Sequence, residues 1–224
     1  MIVTVISPKG GCGKSTSTLM LASVFARNPD LSVAIVDADP RQSIGRVWLT
    51  KRREHKLGDP PFTVISDFSE DTILDTLEAA RDAHDLVFVD LEGVAGLMAS
   101  YAASASDLCV VPMRPSALDG DAAGAALKMI RDAGRAARRT IPARILITQT
   151  DAAIMTTSYR ELIAELDEAG VPRLKTELVR RAPYERVMAE GRTLFELAPS
   201  QSVTSAIGNT AHLGRELADI LEAA

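Results

Sequence analysis

The sequence predicts an α/β fold: a single doubly wound, mainly parallel sheet flanked by helices. Three observations predict it. Short apolar runs of strand character alternate with helical patterns along the whole chain, which is how helical crossovers bring parallel strands side by side. The first apolar run opens into a glycine-rich turn, and two later runs end in aspartate. Polar chemistry at the carboxyl ends of strands is what an open α/β sheet presents. No internal repeat and no linker rich in Gly, Pro or Ser interrupts the 224 residues, so a single domain over 1–224 is expected.

Ile2-Val3-Thr4-Val5-Ile6 reads as a short buried strand and Leu19-Met20-Leu21-Ala22 as part of a helix. Between them lies Lys9-Gly10-Gly11-Cys12-Gly13-Lys14-Ser15-Thr16. A strand, a glycine-rich turn and Gly-Lys-Ser opening a helix make the setting of a phosphate-binding loop. Its glycines let backbone N–H groups turn inward around a polyphosphate. Lys14 is expected to reach the β- and γ-phosphates, and Ser15 to ligand Mg²⁺. Gly10, Gly11, Cys12, Gly13 and Thr16 complete the cradle, with Cys12 a small filler. The helix N-terminus adds unpaired donors and partial positive charge.

A plain phosphate loop needs no lysine at its start. With Lys9, the segment reads K-G-G-x-G-K-[ST] and resembles the deviant Walker A motif of the ParA/MinD family of dimerising P-loop ATPases. The resemblance implies ATP and Mg²⁺ as cofactors, and a homodimer in which Lys9 contacts the nucleotide of the partner subunit. Leu31 to Val36 is a second strand, and the Asp37-Ala38-Asp39-Pro40 that follows resembles the family's switch I. By that match Asp39 positions or activates the attacking water, and Asp37 helps hold Mg²⁺ through its water shell. Capping of a helix from about Arg41 is the competing role for both. Gln42 and Ser43 match the polar positions that follow in relatives.

That helix runs into Lys51-Arg52-Arg53-Glu54-His55-Lys56, a charge run that reads as a solvated helix end. A strand at 62–65 and a helix at about 71–83 come next. His84 to Asp90 is an apolar strand ending in aspartate, read as Walker B with Asp90 near the Mg²⁺ water shell. Its continuation Leu91-Glu92-Gly93 departs from the family's usual D-x-P-P, while Gly93 and Gly96 would free a γ-phosphate-sensing loop. Leu108 to Pro112 is another strand. The P-x-x-P-S-x-L-D run ending at Asp119 is common in the family, which implies that 113–119 faces the nucleotide and the dimer partner. After a strand at 143–148, the resemblance puts an adenine-contacting amide at Gln149. A helix is expected from Thr156 or Thr157, and a last short strand within 172–179.

Two basic groups stand out. Lys128, Arg131, Arg135 and Arg138 recur at helical steps, forming either a solvated face or a set of DNA phosphate contacts. Arg180, Arg181 and Arg192 precede or enter Gly191-Arg192-Thr193-Leu194-Phe195-Glu196, which matches G-x-[TS]-[LIV]-x-E. In the family this region contributes to nonspecific DNA binding; here ion pairs to Glu177, Glu185 and Glu190 compete. The amphipathic stretch 210–221 carries Glu216, Asp219 and Glu222, which anionic lipid repels, so it is expected to pack on the core.

Hydrophobic residues make up 46% and charged residues 25%, as in ordinary globular proteins. A net charge of −5 excludes a bulk-charge argument for nucleic acid, so DNA binding must come from a local patch or an assembled dimer. Aromatics at 4% argue against a stacking platform for single strands. Cys12 and Cys109 lack the spacing of an iron–sulfur ligand set and fit reduced thiols in a cytoplasm. No membrane span and no helix-turn-helix ahead of the first strand are expected. The reading is a cytoplasmic, nucleoid-associated ATPase in DNA partition, weak alone and stimulated by a ParB-like or other partner. The alternatives are an ATPase that positions a protein complex, or an ATP-dependent ligase or synthetase.

Overall fold

The computed structural model describes residues 1–91, 96–151 and 157–223. The expectations for Glu92, Gly93 and Thr156 lie outside these residues. Seven strands form one sheet: β1 Ile2–Val5, β2 Val33–Ala38, β3 Thr63–Ile65, β4 Leu86–Leu91, β5 Leu108–Met113, β6 Ala143–Thr150 and β7 Leu178–Val179. Their order is β3-β2-β4-β1-β5-β6-β7, and each described pairing is parallel. β1 stands centrally, and the chain winds outward from it in both directions. The crevice beyond the carboxyl ends of such strands is where a ligand can enter.

Side-chain alternation in the strands builds two cores. Val3 and Val5, Ile35, Phe88, Val110 and Leu146 point to one side; Ile2, Ala34 and Val36, Val87 and Val89, Cys109 and Val111, Ile145 and Ile147 point to the other. Strands buried on both faces read as continuous apolar runs, which is why all of the longer ones were visible in the sequence. The first core is covered by α1 Lys14–Phe25, α7 Ala182–Glu190 and α8 Gln201–Glu222. The second is covered by α3 Ile73–Ala83, α4 Leu97–Ala105, α5 Ala117–Ala136 and α6 Thr157–Glu168. α8 buries Leu213, Leu217 and Leu221 and begins well before Thr210, with the Ser200 hydroxyl accepting from Val203 N–H as its cap. It packs on the core as expected.

The segment after β2 departs from the sequence reading. The expected helix from Arg41 starts instead at Ser43, as a π-helix over Ser43–Trp48 that runs into α2 Leu49–Glu54. Gln42 sits at φ 48° in the left-handed region, and its carbonyl accepts from both Arg46 and Val47 N–H. The widened turn drives Trp48 fully into the core, where its indole N–H donates to the carbonyls of Val187 and Arg192. A periodicity of 3.6 gives no signal for such a turn.

The charge run is also corrected at one position. Arg52 is 3% exposed rather than solvated. Its guanidinium donates to the carbonyls of Gly58, Asp59 and Gly191 and to both carboxylate oxygens of Glu196. The G-x-[TS]-[LIV]-x-E segment serves this staple. Gly191 lies against the Arg52 backbone, Leu194 is buried, and Thr193 N–H donates to Glu196.

Candidate functional site

Strand register assembles the site. Val5, the last residue of β1, lies beside Asp90 of β4, and Asp90 lies beside Asp37 of β2. Neighbours in a parallel register share a face, so both carboxylates project with Val5 toward the side covered by α1. The glycine-rich loop therefore closes over them. Gly11 and Gly13 hold φ of 74° and 97°, where a side chain is strained. Thr148 Oγ1 donates to Cys12 O at 2.7 Å and Gln149 Nε2 to Gly11 O at 2.8 Å, so β6 fixes the loop from beside it.

The loop, Asp39, Arg41 and Ser43 border an open cleft of about 480 Å³. Lys14 is buried at its base, and its ammonium donates to Lys9 O at 3.0 Å. Among the described residues no side chain caps α1, so its first N–H groups are available at the cleft. Gly13, Thr16, Gln149 and Met188 border this cleft and also a second, more apolar pocket of about 310 Å³. Leu178, Val179, Tyr184 and Arg181 form its other walls. These walls come from one stretch, 178–188, which only the fold brings against the glycine-rich loop and Gln149.

The three aspartates differ in what they hold. Asp37 accepts from Ile44 and Gly45 N–H at 2.9 and 2.7 Å, and from Asp39 N–H at 3.2 Å. It is thus the cap of the π-helix; burial raises its carboxyl, and those backbone donors oppose the rise. Asp39 accepts from Arg41 N–H at 2.8 Å and does not cap a helix. Asp90 is fully buried, and neither of its oxygens has a hydrogen-bond partner among the described residues. Burial pushes its carboxyl up to about 8, with Asp37 and Asp39 adding to the rise and Ser15 and Lys14 opposing it. An orphaned buried carboxylate beside a hydroxyl suits a hard cation that keeps part of its water shell.

Lys9 is not aimed at its own loop. Its ammonium pairs with Asp119, which is 1% exposed and also takes the Arg114 guanidinium and N–H and the Ser116 hydroxyl. Burial by itself would raise Asp119, but Arg114, Lys9 and Ser116 hold it well below the usual carboxylate range. A depressed carboxyl stabilises the fold in its charged form. That contribution is complete above the ordinary value of about 4 and is lost as pH falls toward the folded value. Urea titrations of the wild type should therefore show a midpoint that drops below about pH 4, whereas Asp119→Asn should lack this component.

Family comparison agrees with this geometry. The model of the VirC1 protein family matches residues 1–222. The chain belongs to the VirC1 protein family. Protein ParA of Rhizobium radiobacter is 34% identical to this VirC1 family member, covering 93% of this chain and 91% of that protein. The maintenance of carboxysome distribution protein A of Halothiobacillus neapolitanus is 29% identical, with 87% of each chain covered. Among solved structures, the Cyanothece McdA(D38A)–ATP complex superposes with a TM-score of 0.76 at 13% identity, covering 97% of this chain and 96% of that one. The P-loop fold and the ParA-like character read from Lys9 to Thr16 are thus those of the VirC1 family member.

The basic residues are divided by the fold. Lys128, Arg131 and Arg135 lie exposed on α5, over the second core, where Asp132 pairs with Lys128 and Arg135. Arg138 falls beyond the helix at φ 54°. Arg180, Arg181 and Arg192 lie by α7, over the first core. Arg180 is exposed near Glu185, Arg181 lines the apolar pocket, and Arg192 binds Glu190 and the Glu196 carbonyl. Cys12 and Cys109 are buried free thiols, and burial pushes Cys109 up to about 12. Among the described residues no helix is long and apolar enough to cross a membrane.

Proposed function

We propose that this chain is a ParA-like ATPase, one domain over 1–224, that dimerises on binding ATP–Mg²⁺, binds double-stranded DNA without sequence preference and leaves it on hydrolysis. It would act in the cytoplasm, at the nucleoid when ATP-bound, in partition or positioning of DNA, with a ParB-like or other protein stimulating turnover. The observation that carries this reading is Lys9: Lys14 already serves the cleft from within, while Lys9 lies outside the cleft lining, paired with Asp119. A second lysine that is not needed at home suits use in a partner's site.

In this reading the apolar pocket takes the base and the cleft takes the phosphates. Gln149 spends its amide N–H₂ on Gly11, so its oxygen is left to accept from the exocyclic amine of adenine. Gly10 to Thr16 donate to the phosphates, and Lys14 offsets their charge. Ser15 and Asp90 would hold Mg²⁺, with Asp37 contributing through the ion's water shell. When bound, the ion neutralises charge on the phosphate oxygens. Asp39, with one oxygen tied by Arg41 N–H, orients the attacking water with the other.

Binding to nonspecific duplex DNA, measured with ATP, ADP or no nucleotide at two salt concentrations, tests the proposal. Asp39→Ala serves to trap the triphosphate state. Binding with ATP alone, weakened by salt, is the expected result. Absence of binding in every state would overturn the DNA role. The relative named for carboxysome distribution favours a protein assembly as the second reading of the cargo.

A further inference from the structure

We propose that Arg41 reads the terminal phosphate: its guanidinium pairs with the γ-phosphate held in the same protomer's loop and sets the preference for triphosphate over diphosphate. This rests on the nucleotide reading above and goes beyond it by naming a specificity-determining residue. Of the residues that border the phosphate cleft, the cationic ones are Lys14 and Arg41. Lys14 is buried under the loop, and Lys9 is drawn away onto Asp119. Arg41 is exposed, and its guanidinium has no hydrogen-bond or ion-pair partner among the described residues.

The backbone beneath Arg41 is tied down on both sides. Arg41 N–H donates to Asp39 Oδ1 at 2.8 Å, and Gln42 N–H to Asp39 O at 2.7 Å. Gln42 Nε2 donates to Ser66 O at 2.8 Å, and the Asp37 carboxylate holds Ile44 and Gly45. A fixed Cα at the cleft mouth with an unengaged side chain leaves only side-chain rotamers to be ordered on binding. The planar guanidinium then offers a bidentate fork that matches a terminal phosphate, a group that a diphosphate lacks. Because Arg41 N–H also holds Asp39, pairing at Arg41 would bring the water-orienting carboxylate to the same phosphate.

Calorimetric titration of the full chain with Mg²⁺–ATPγS and Mg²⁺–ADP tests the assignment in wild type, Arg41→Ala and Arg41→Lys. In Arg41→Ala, affinity for ATPγS should fall about tenfold, the worth of one charge-assisted contact, while ADP affinity stays within about twofold. Arg41→Lys should recover part of the loss, since lysine restores the charge without the fork. Equal change for both nucleotides, no change for either, or loss of DNA binding with nucleotide preference intact would overturn the role of Arg41. A wild type that binds neither nucleotide would overturn the parent reading and this assignment together.

Discussion

Arg52→Ala is expected to destabilise the fold by about 3 kcal/mol, the lower end for breaking a buried ion pair, and to lower Tm by about 6–12 °C. The lower end applies because Glu196 is 32% exposed and can recover water, whereas the carbonyls of Gly58, Asp59 and Gly191 lose a buried donor. Arg52 also lies over the Trp48 ring at 5.4 Å, so its removal loosens the packing that seats the π-helix. Arg52→Lys should recover less than half, since an ammonium cannot serve five acceptors in a plane. Gly191→Ala should be comparably severe: a Cβ there would lie 2.2 Å from Arg52 N, at φ 67°. Urea and thermal unfolding of the three variants measure this. An Arg52→Ala midpoint equal to the wild type would mean that the staple contributes nothing net.

The same residue shows where sequence reading stops. Arg52 stands between Lys51 and Arg53, and nothing local separates the one buried cation from its solvated neighbours. Its ion-pair partner Glu196 and the Gly191 carbonyl are more than a hundred residues away, on a segment whose motif resembled a DNA-binding region. Strand core residues such as Val87, Phe88 and Val89 were legible because burial on both faces writes itself as an unbroken apolar run. The phosphate loop was legible because its glycines and Lys14 are local requirements of one turn. Asp37 and Asp90 were visible as strand-end carboxylates, but their different duties were not. One is spent on backbone N–H groups and the other on none, and that depends on a π-turn a single insertion wide. The Lys9–Asp119 pair spans 110 positions and needed the β1–β5 register to appear.

Lys9→Ala should abolish ATP-dependent dimerisation while leaving nucleotide binding by the monomer within a few-fold. Lys14, the loop N–H groups and the base pocket all belong to one protomer and are untouched by the change. Sedimentation with Mg²⁺–ATPγS should show a dimer for wild type and a monomer for Lys9→Ala. Dimer closure that uses Lys9 must first break its pair with Asp119, so Asp119 opposes closure by the strength of that contact. Asp119→Asn should therefore shift dimerisation to lower protein concentration, despite the loss of stability at neutral pH. In a Lys9→Ala background the same substitution should have no such effect, since the contact is already gone. An additive double mutant, or a Lys9→Ala chain that dimerises as wild type does, would remove the lysine from the switch. The pair also links the two readouts already described. Below about pH 4 the fold weakens because the unfolded chain takes up the Asp119 proton first, whereas Lys9 is freed only at the still lower pH where folded Asp119 is protonated, so stability should fall before dimerisation responds.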